Sequence, residues 1–471
     1  MKKYDLVILG HGAAAFAAAI NANDLGVKTA MVGTNVTRGT LTGGTCVNVG
    51  CLPSKHLITV SNLFYHAANN SFEGIKYGKG KLNFKKVIEQ KDKLVKKFRN
   101  EKYINVLKDL ENVAYYNKKG RFVSKNEIVA DNEKILGKKF FIGTGAKSDI
   151  IPIKGIEKVE YLTNEEVLSL KELPKSMVVI GGRALGLEFA QMYAHFGTKV
   201  TVLQRSDRII PESEPEISDA LKVYLKEEGI NIHTGASINS VSKKGKNKIV
   251  NINVGNKSFD IEAKQLLLAA GRKPNTENLG LDKVGVKTDE KGFIIVNDEM
   301  QTSAKHVLAG GDVVGNPMLE TLAAKEGSIA VENAFTKNKR KINFNEIPSA
   351  IFTYPEVASV GLTDKEAIEK GIKCRCGIVP FSLVPKAHII GDTRGIIKIV
   401  ANQKIRQILG VHILSPHAAD LIHEGVLAVK LKLTVDDIID TVHVFPTLSE
   451  AMKIAAQSFY RDVSKMSCCV E

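Results

Sequence analysis

The sequence predicts an α/β protein with two doubly wound dinucleotide-binding domains, one inserted in the other, followed by a C-terminal α+β domain. A short apolar run leads into a glycine-rich turn and a helix near residue 10 and again near residue 180, which predicts the paired domains. From about Pro348 the pattern changes to strands and amphipathic helices. We place the boundaries at residues 1–150, 151–275, 276–346 and 347–471, where the first and third segments form one domain.

Length and charge exclude several classes of protein. The chain has 471 residues and a formal net charge of +15 at pH 7. No apolar run approaches the length of a membrane span, and the N-terminus passes straight into a strand, so we expect a cytoplasmic protein without a membrane partner. The lysines are scattered over helices and turns without interleaved aromatic residues, so we expect no nucleic-acid partner.

The first dinucleotide motif follows the apolar residues 5–9. It consists of Gly10, Gly12 and Ala15, ahead of an alanine-rich helix that we expect to end near residue 26. A strand, a glycine turn and a helix in this order bring a pyrophosphate onto the helix N-terminus. The motif therefore predicts a dinucleotide cofactor.

The ribose site of this motif departs from the usual pattern. An acid commonly follows the second strand, here residues 29–32, and binds the adenosine ribose. This chain has Gly33 there. We therefore expect Thr34, Asn35 or the backbone to bind the ribose.

A pair of cysteines separated by four residues follows. Pro53 stands where a helix would begin, so Cys51 lies near a helix N-terminus, where the helix dipole favours a thiolate. We expect Cys46 on the loop before the helix, close enough to form a disulfide with Cys51 or to share a soft ligand with it. A purely stabilising disulfide is unexpected in a large cytoplasmic protein, and no second Cys/His pair completes a zinc site nearby. The pattern predicts a dithiol that cycles against a cofactor.

This stretch resembles the redox-active segment of the flavin-dependent pyridine nucleotide–disulfide oxidoreductases, and the resemblance extends over essentially the whole chain. It implies FAD and a nicotinamide cofactor, with Gly44, Thr45 and Lys55 in the flavin site. It further implies that Glu188 pairs with Lys55 beside the flavin. Tyr193, on the same helix as Glu188, corresponds to a tyrosine near the metal site of some members, although a packing or nicotinamide-gating tyrosine is an alternative.

Three further segments resemble flavin-binding parts of the family. Residues 141–146 resemble its second flavin-domain signature and include Gly145. Gly271 marks the return from the inserted domain. Asp312 matches the aspartate that binds the ribityl chain of the flavin, and the helix that begins near Thr321 would run beneath the isoalloxazine ring.

The second dinucleotide motif, after residues 177–180, has Arg183 at its middle glycine position. By the resemblance it binds the nicotinamide cofactor. At the end of the next strand Gln204 replaces the acid that usually holds a ribose diol, and arginines follow, which favours the 2′-phosphate of NADPH over NADH. A solvated basic turn is the alternative. The predicted NADPH ligands are Gly181, Gly186, Arg205 and Arg208.

The C-terminal domain resembles the interface domain of the family, which implies a homodimer. Disulfide reductases of the family carry an acid–base histidine before a proline in this domain. Here Phe445 occupies that position, and Glu450 matches the acid that orients the histidine. His443 lies two residues away and could substitute. Cys374 and Cys376 share one face of a strand, and we interpret them as thiols without a ligand role.

Two adjacent cysteines, Cys468 and Cys469, lie at the end of the chain. Adjacent cysteines suit a soft metal ion better than a strained disulfide. With Phe445, they resemble the mercuric reductase subfamily, which implies mercuric ion as a thiol complex for substrate and a relay from the tail to Cys46 and Cys51. Thr447 departs from the tyrosine of many members. The alternatives are a disulfide reductase whose tail relays electrons and a metal-sequestering protein without turnover.

Overall fold

The computed structural model describes residues 2–33, 42–76, 78, 80–315 and 317–467. In chain order, its strands are β1 (Lys2–Leu9), β2 (Thr29–Val32), β3 (Val113–Tyr116), β4 (Gly120–Ser124), β5 (Glu127–Ala130), β6 (Glu133–Ile142), β7 (Ala146–Ser148), β8 (Ser176–Ile180), β9 (Lys199–Leu203), β10 (Asn231–His233), β11 (Ala236–Lys244), β12 (Asn247–Val254), β13 (Lys257–Ala263), β14 (Gln265–Leu268), β15 (Arg272–Pro274), β16 (Val307–Ala309), β17 (Ser349–Ile351), β18 (Glu356–Gly361), β19 (Cys374–Pro380), β20 (Ile396–Asn402) and β21 (Ile408–Ser415). Its α-helices are α1 (Ala13–Asp24), α2 (Thr45–Val49), α3 (Cys51–Ala68), α4 (Phe84–Arg99), α5 (Asn105–Asp109), α6 (Asn164–Val167), α7 (Ala184–His195), α8 (Pro215–Glu227), α9 (Glu320–Phe335), α10 (Asp364–Glu369), α11 (Pro385–Ile389), α12 (Ala418–Leu431), α13 (Val435–Asp440) and α14 (Glu450–Gln457).

The chain forms two compact units. The first comprises Met1–His56, Ile88–Ile150 and Gly271–Asn343, and the second comprises Leu57–Val87, Ile151–Ala270 and Phe344–Glu471. Within the described residues, no helix has the length and apolar character needed to cross a membrane.

A mainly parallel sheet lies at the centre of the first unit. Its strands run in the order β3-β2-β1-β6-β5-β4, and β16 also pairs with β6. The strands β1, β2, β3, β6 and β16 are parallel to one another, as the apolar run in β1 predicts, whereas β5 is antiparallel to β6. Helices α1 and α9 pack against each other beside this sheet. The turn after β1 therefore lies at the carboxyl end of a central strand, where ligands of such sheets bind.

The second unit contains a four-stranded sheet in the order β10-β9-β8-β14, whose strands are all parallel. An antiparallel ribbon, β11-β12-β13, accompanies it. The turn between β8 and α7 again follows a central, buried strand. The predicted second dinucleotide fold is therefore present.

The rest of the second unit is a five-stranded antiparallel sheet in the order β17-β18-β21-β20-β19. Helices α12 and α14 pack on it around a buried apolar core. Cys374 and Cys376 lie half-buried on β19, one repeat apart, and burial raises the pKa of Cys376 to about 12. The α/β class with a C-terminal α+β region is confirmed.

One local prediction was wrong: Cys46 does not lie on a loop but on the short helix α2. Further along the chain, Phe84–Asp109 is helical throughout and contains a π-helical turn at Asn100–Ile104.

Candidate active site

The two cysteines lie on consecutive helices, α2 and the first turn of α3. Cys46 is on α2 and half-buried, whereas Cys51 is the first residue of α3 and is exposed. Both are free thiols, and their side chains are hydrogen-bonded to each other. This bond and burial raise the pKa of Cys46, while the Lys55 ammonium acts in the opposite direction. Cys51 at a helix N-terminus is confirmed, and the geometry brings both thiols and Lys55 together.

Asn48, between the two cysteines, is a residue that the sequence analysis missed. It is 8% exposed, and its amide Nδ2 donates to the carbonyls of Gly43 at 2.8 Å, Gly44 at 3.1 Å and Thr42 at 3.3 Å. One side chain thus fixes the backbone ahead of α2. Its position inside a cysteine motif was the available signal, but the sequence alone does not show which way a buried amide points.

The first glycine turn is closely packed. Gly10 has a φ of 134°, and a β-carbon there would lie 2.2 Å from the carbonyl oxygen of Gly143. A β-carbon at Gly44 would lie 2.7 Å from the Cα of Gly12, so the segment before α2 rests directly on the turn. The turn, with Ala15 buried in the first turns of α1, leaves backbone N–H groups at the helix N-terminus with no side-chain cap. These residues fit the pyrophosphate of FAD.

The structure explains the missing acid at Gly33. A β-carbon there would lie 2.8 Å from the carbonyl carbon of Gly10, so a larger residue would displace the turn. Thr34 and Asn35, which we expected to bind the ribose in place of the acid, lie outside the described residues.

The residues predicted to bind the distal part of the flavin form a second group in the first unit. Asp312 follows β16; burial raises the pKa of its carboxyl, and Arg272 lies 3.4 Å away. Arg272 was not predicted, and its buried Nε has no partner among the described residues. Gly145 accepts a hydrogen bond from the N–H of Asn275 at 2.9 Å, and Gly271 accepts one from Asp149 at 3.0 Å. A carboxylate and a guanidinium with spare hydrogen-bonding capacity suit the hydroxyl groups of a ribityl chain.

Glu326 is a second missed residue near Asp312. Its side chain on α9 is buried, and its Oε2 accepts the backbone N–H of Gly311 at 2.5 Å. Burial and the charge of Asp312 raise the pKa of Glu326 to about 7. In the sequence, Glu326 is distinguished only as an acidic residue among the apolar residues of a helix.

The second glycine turn shows why Arg183 is tolerated. Arg183 has a φ of −101°, which any residue adopts, and its side chain is exposed and lies 3.7 Å from Glu212. Gly186 cannot be replaced so easily, because a β-carbon there would lie 1.9 Å from the carbonyl oxygen of Gly181. Gln204 is buried and accepts the N–H of Gly182 at 2.8 Å. The turn keeps an open helix N-terminus that fits a second dinucleotide.

The two arginines after β9 differ in their surroundings. Arg205 is exposed. Arg208 is also exposed, and its Nε lies 3.0 Å from Asp219 on α8, which raises the pKa of the guanidinium. Arg205 is therefore the better placed of the two for a phosphate.

Glu188 and Tyr193 are both buried on α7. Oε1 of Glu188 accepts the N–H of Phe352 at 2.9 Å, and the hydroxyl of Tyr193 donates to the carbonyl of Val167 at 2.6 Å. Burial raises the pKa of Tyr193. Its hydroxyl serves the fold in this arrangement, so its catalytic role, like the pairing of Glu188 with Lys55, stays a prediction.

Around the predicted acid–base position, Phe445 is 55% exposed. The carboxylate of Glu450 accepts the N–H of Thr447, and His443 lies 3.0 Å from Glu424, which raises the pKa of the imidazole. Cys468 and Cys469 lie outside the described residues, and within residues 2–467 as described no group of three or more His, Cys, Asp or Glu side chains could hold a metal ion.

Comparisons with known proteins place these features in context. The sequence matches a family profile described as pyridine nucleotide-disulphide oxidoreductase over residues 4–327, and the dimerisation domain of the same family over residues 347–456. A mercuric reductase of Lysinibacillus sphaericus is 40% identical over 99% of this chain and 84% of that protein, and one of Staphylococcus aureus is 41% identical with the same coverage. A mitochondrial dihydrolipoyl dehydrogenase of Pisum sativum is 36% identical over 97% of this chain and 91% of that protein.

Among solved structures, the Cu(II) complex of the HOCl-induced flavoprotein disulfide reductase RclA from Escherichia coli superimposes with a TM-score of 0.87. It is 26% identical in sequence, and the match covers 98% of this chain and 100% of that chain.

Proposed function

Because this chain belongs to the pyridine nucleotide–disulphide oxidoreductase family, we propose that it reduces divalent mercury to elemental mercury with electrons from NADPH. The family is FAD- and NAD(P)H-dependent, so the predicted flavoprotein character and cofactors are confirmed at that level. The match to the dimerisation domain supports the predicted homodimer. The acceptor of the electrons is the part of the assignment that we propose.

The observation that carries mercury as the acceptor is Phe445. Reduction of a disulfide releases a thiolate that must be protonated, which requires an acid with a pKa near the working pH. A phenyl ring cannot supply that proton, and Glu450 is engaged with the backbone of Thr447. Reduction of a metal ion held by two thiolates frees both ligands as thiolates and requires no proton donor. The similarity to mercuric reductases along nearly the whole chain supports the same reading.

In this proposal Cys46 and Cys51 bind the mercuric ion as two thiolates. Soft ions prefer such ligands, and the two thiols already approach each other closely enough to share a proton. The hydrogen bond to Cys51 and burial raise the pKa of Cys46, and the charge of Lys55 only opposes this, so the incoming ion would displace the Cys46 proton on binding. Cys51 is then the thiolate beside the flavin, and Cys46 exchanges ligands with the incoming complex.

The turns at Gly10 and Gly181 bind the two dinucleotides, and Asp312 with Arg272 orients the ribityl chain. Bound FAD supplies the two-electron connection between the nicotinamide and the dithiol. The net reaction is NADPH plus divalent mercury to NADP⁺, a proton and elemental mercury, which balances two electrons. Cys468 and Cys469 would capture the ion and pass it on by thiolate exchange, so that the ion stays bound to sulfur throughout.

A disulfide reductase is the second candidate, and His443 favours it. The imidazole carries a raised pKa beside Glu424 and lies two residues from Phe445, so it could deliver a proton if the chain bent toward the substrate. The 36% identity to dihydrolipoyl dehydrogenase agrees with this candidate.

NADPH oxidation by the purified yellow protein separates the two candidates. Mercuric chloride with excess small thiol, lipoamide, glutathione disulfide and a Cu(II) salt with the same thiol are compared at equal concentrations. Sustained oxidation with mercury, accompanied by loss of volatile mercury from solution, supports the proposal. Oxidation with a disulfide and none with mercury contradicts it and makes the tail an electron relay.

A further inference from the structure

A side-chain arrangement next to the dithiol has no part in the proposed reaction. Arg99 is the last residue of α4, and Tyr103 lies in the π-helical turn Asn100–Ile104 that follows. Single π-helical turns within helices occur frequently at functional sites. Both side chains contact the redox-active loop, which we define as residues 42–51.

Arg99 acts on this loop through Asn48. Its Nε donates to the Oδ1 of Asn48 at 2.7 Å, and the guanidinium is half-buried. Because Arg99 has only donors, this bond assigns the oxygen of the Asn48 amide to the arginine and turns the NH₂ group toward the loop carbonyls. The bonds from Asn48 to Gly43 and Gly44 therefore depend on the arginine for their orientation.

Tyr103 acts on the same loop through packing. Gly43 has a φ of 92°, and a β-carbon there would lie 3.3 Å from the ring of Tyr103. The ring also makes an edge contact with Phe16 on α1, with 4.8 Å between the centroids. Burial and the nearby Cys46, Glu320 and Cys51 raise the pKa of its phenol, so the hydroxyl stays protonated at neutral pH.

The loop also rests on the turn that would hold the FAD pyrophosphate. Gly44, the residue before α2, approaches Gly12 so closely that a β-carbon has no room. Three contacts thus hold the loop backbone: the close approach of Gly12, the Asn48–Arg99 bond and the Tyr103 ring. Cys46 is the second residue of α2, so a shift of Gly44 would move its sulfur relative to Cys51.

We propose that Arg99 and Tyr103 are positioning residues of the redox-active loop, which hold it against the Gly12 turn and thereby limit access to the Cys46 thiol. The inference rests on the dithiol of the family and not on mercury as the electron acceptor. It assigns a role to α4 and its π-helical turn that the cysteine motif alone does not reveal.

Alkylation of the reduced flavoprotein tests this proposal without metal or turnover. The protein is reduced with dithiothreitol, freed of it, and treated with iodoacetamide at pH 8, and the rate at each cysteine is followed by peptide mass spectrometry. We expect Arg99→Met to accelerate alkylation of Cys46 at least fivefold. Cys376, on β19 in the second unit, serves as an internal control and should change less than twofold. Arg121→Met, an exposed arginine on β4, is the matched control variant.

Further variants distinguish the orientation of Asn48 by Arg99 from a general loss of packing around the loop. On an Asn48→Ala background, Arg99→Met should add less than twofold, because the arginine acts through Asn48. Tyr103→Phe should leave the rate at Cys46 unchanged and Tyr103→Leu should raise it, because the ring makes the contact. If Arg99→Met does not yield folded protein, Arg99→Gln carries the same expectation. Rates at Cys46 within twofold of wild type in the folded arginine variant would overturn the proposal, as would an equal rise at Cys376.

Discussion

The carboxylate of Glu450 accepts a hydrogen bond from the backbone N–H of Thr447 at 3.1 Å. The sequence pattern assigns this glutamate to the orientation of an acid–base histidine, whose place Phe445 occupies. Since the carboxylate has a backbone partner instead, the loss of the histidine leaves no unsatisfied acid that would destabilise the segment. The loop is therefore compatible with a reaction that needs no proton at this position.

Restoring the histidine should restore disulfide chemistry. A positioned general acid contributes about 10²–10⁴-fold to proton transfer, and Glu450 accepts a backbone N–H two residues after position 445. We expect Phe445→His to raise the rate of NADPH oxidation with lipoamide at least about tenfold. Val444→His, at the adjacent exposed residue, is the control. Equal gains in both variants would show that any nearby imidazole serves and that Phe445 does not select the substrate.

Loss of Cys46 should separate reduction of the flavin by NADPH from reduction of mercury. Cys46→Ala removes one of the two thiolates that we propose as mercury ligands but leaves both glycine turns unchanged. We expect mercury-dependent NADPH oxidation to be abolished while anaerobic bleaching of the flavin by NADPH proceeds at the wild-type rate. Cys376→Ala is the matched control and should leave both rates unchanged, because that thiol is half-buried on β19. Mercury turnover at the wild-type rate in Cys46→Ala would contradict the assignment.

The preference for NADPH should depend on Arg205 more than on Arg208. Arg208 pairs with Asp219, whereas the exposed Arg205 can bind a 2′-phosphate without breaking an ion pair at 3.0 Å. A hydrogen bond between charged groups is worth about 1.5–3 kcal/mol, so Arg205→Ala should raise the KM for NADPH roughly tenfold or more. The KM for NADH should stay the same. An equal change for both nucleotides would mean that the arginine does not contact the 2′-phosphate.

The terminal cysteines should matter most for bulky mercury complexes. A protein carrying Cys468→Ala and Cys469→Ala is compared with wild type, using mercuric ion bound to a small thiol and to glutathione. We expect the variant to lose more activity with the larger complex, because a terminal pair can extract an ion that cannot itself enter the site. The same fractional loss with both complexes would rule out delivery by the tail.

Much of the fold could be predicted from the sequence. Parallel strands that are buried on both faces consist of uninterrupted apolar residues, as in residues 5–9 and 177–180. The glycines that follow them carry backbone conformations or close approaches that other residues cannot adopt, as at Gly10 and Gly186. The cysteine pair was also evident. Helix α2 was missed because five residues are too few to show a helical period, and Gly50 separates them from α3.

The polar residues that support the site could not be predicted in the same way. Asn48, Arg99 and Glu326 are single polar residues whose roles depend on partners in other segments of the chain. No periodicity marks such a residue, and neither its burial nor the orientation of its side chain follows from its neighbours in sequence. Gln204 stood out in the sequence as the replacement for an acid, but its bond joins it to the N–H of Gly182, 22 residues earlier, which no local pattern shows.

Glu326 should make stability depend on pH in a defined window. Its pKa is about 7 in the folded protein, against an ordinary value of 4.5. A carboxyl group with a raised folded pKa binds its proton more tightly in the folded state, so its contribution is fully present below about pH 4.5 and is lost as the pH rises to about 7. The shift corresponds to about 3 kcal/mol. Glu326→Gln, which keeps an acceptor for the Gly311 N–H, should therefore gain stability relative to wild type across this window.

The thermal midpoints of wild type and Glu326→Gln, measured from pH 4.5 to pH 8, test this expectation. The difference between them should grow with pH and level off above about pH 7, because the folded wild type then carries a buried charge that the amide lacks. Glu290→Gln, an exposed glutamate of the first unit, is the control and should follow the wild type at every pH. A constant difference between Glu326→Gln and wild type would mean that the carboxyl group does not titrate in this range. The bond to Gly311 would then hold it ionised, and the end of β16 where we expect the flavin would carry a permanent charge from Glu326 beside Asp312.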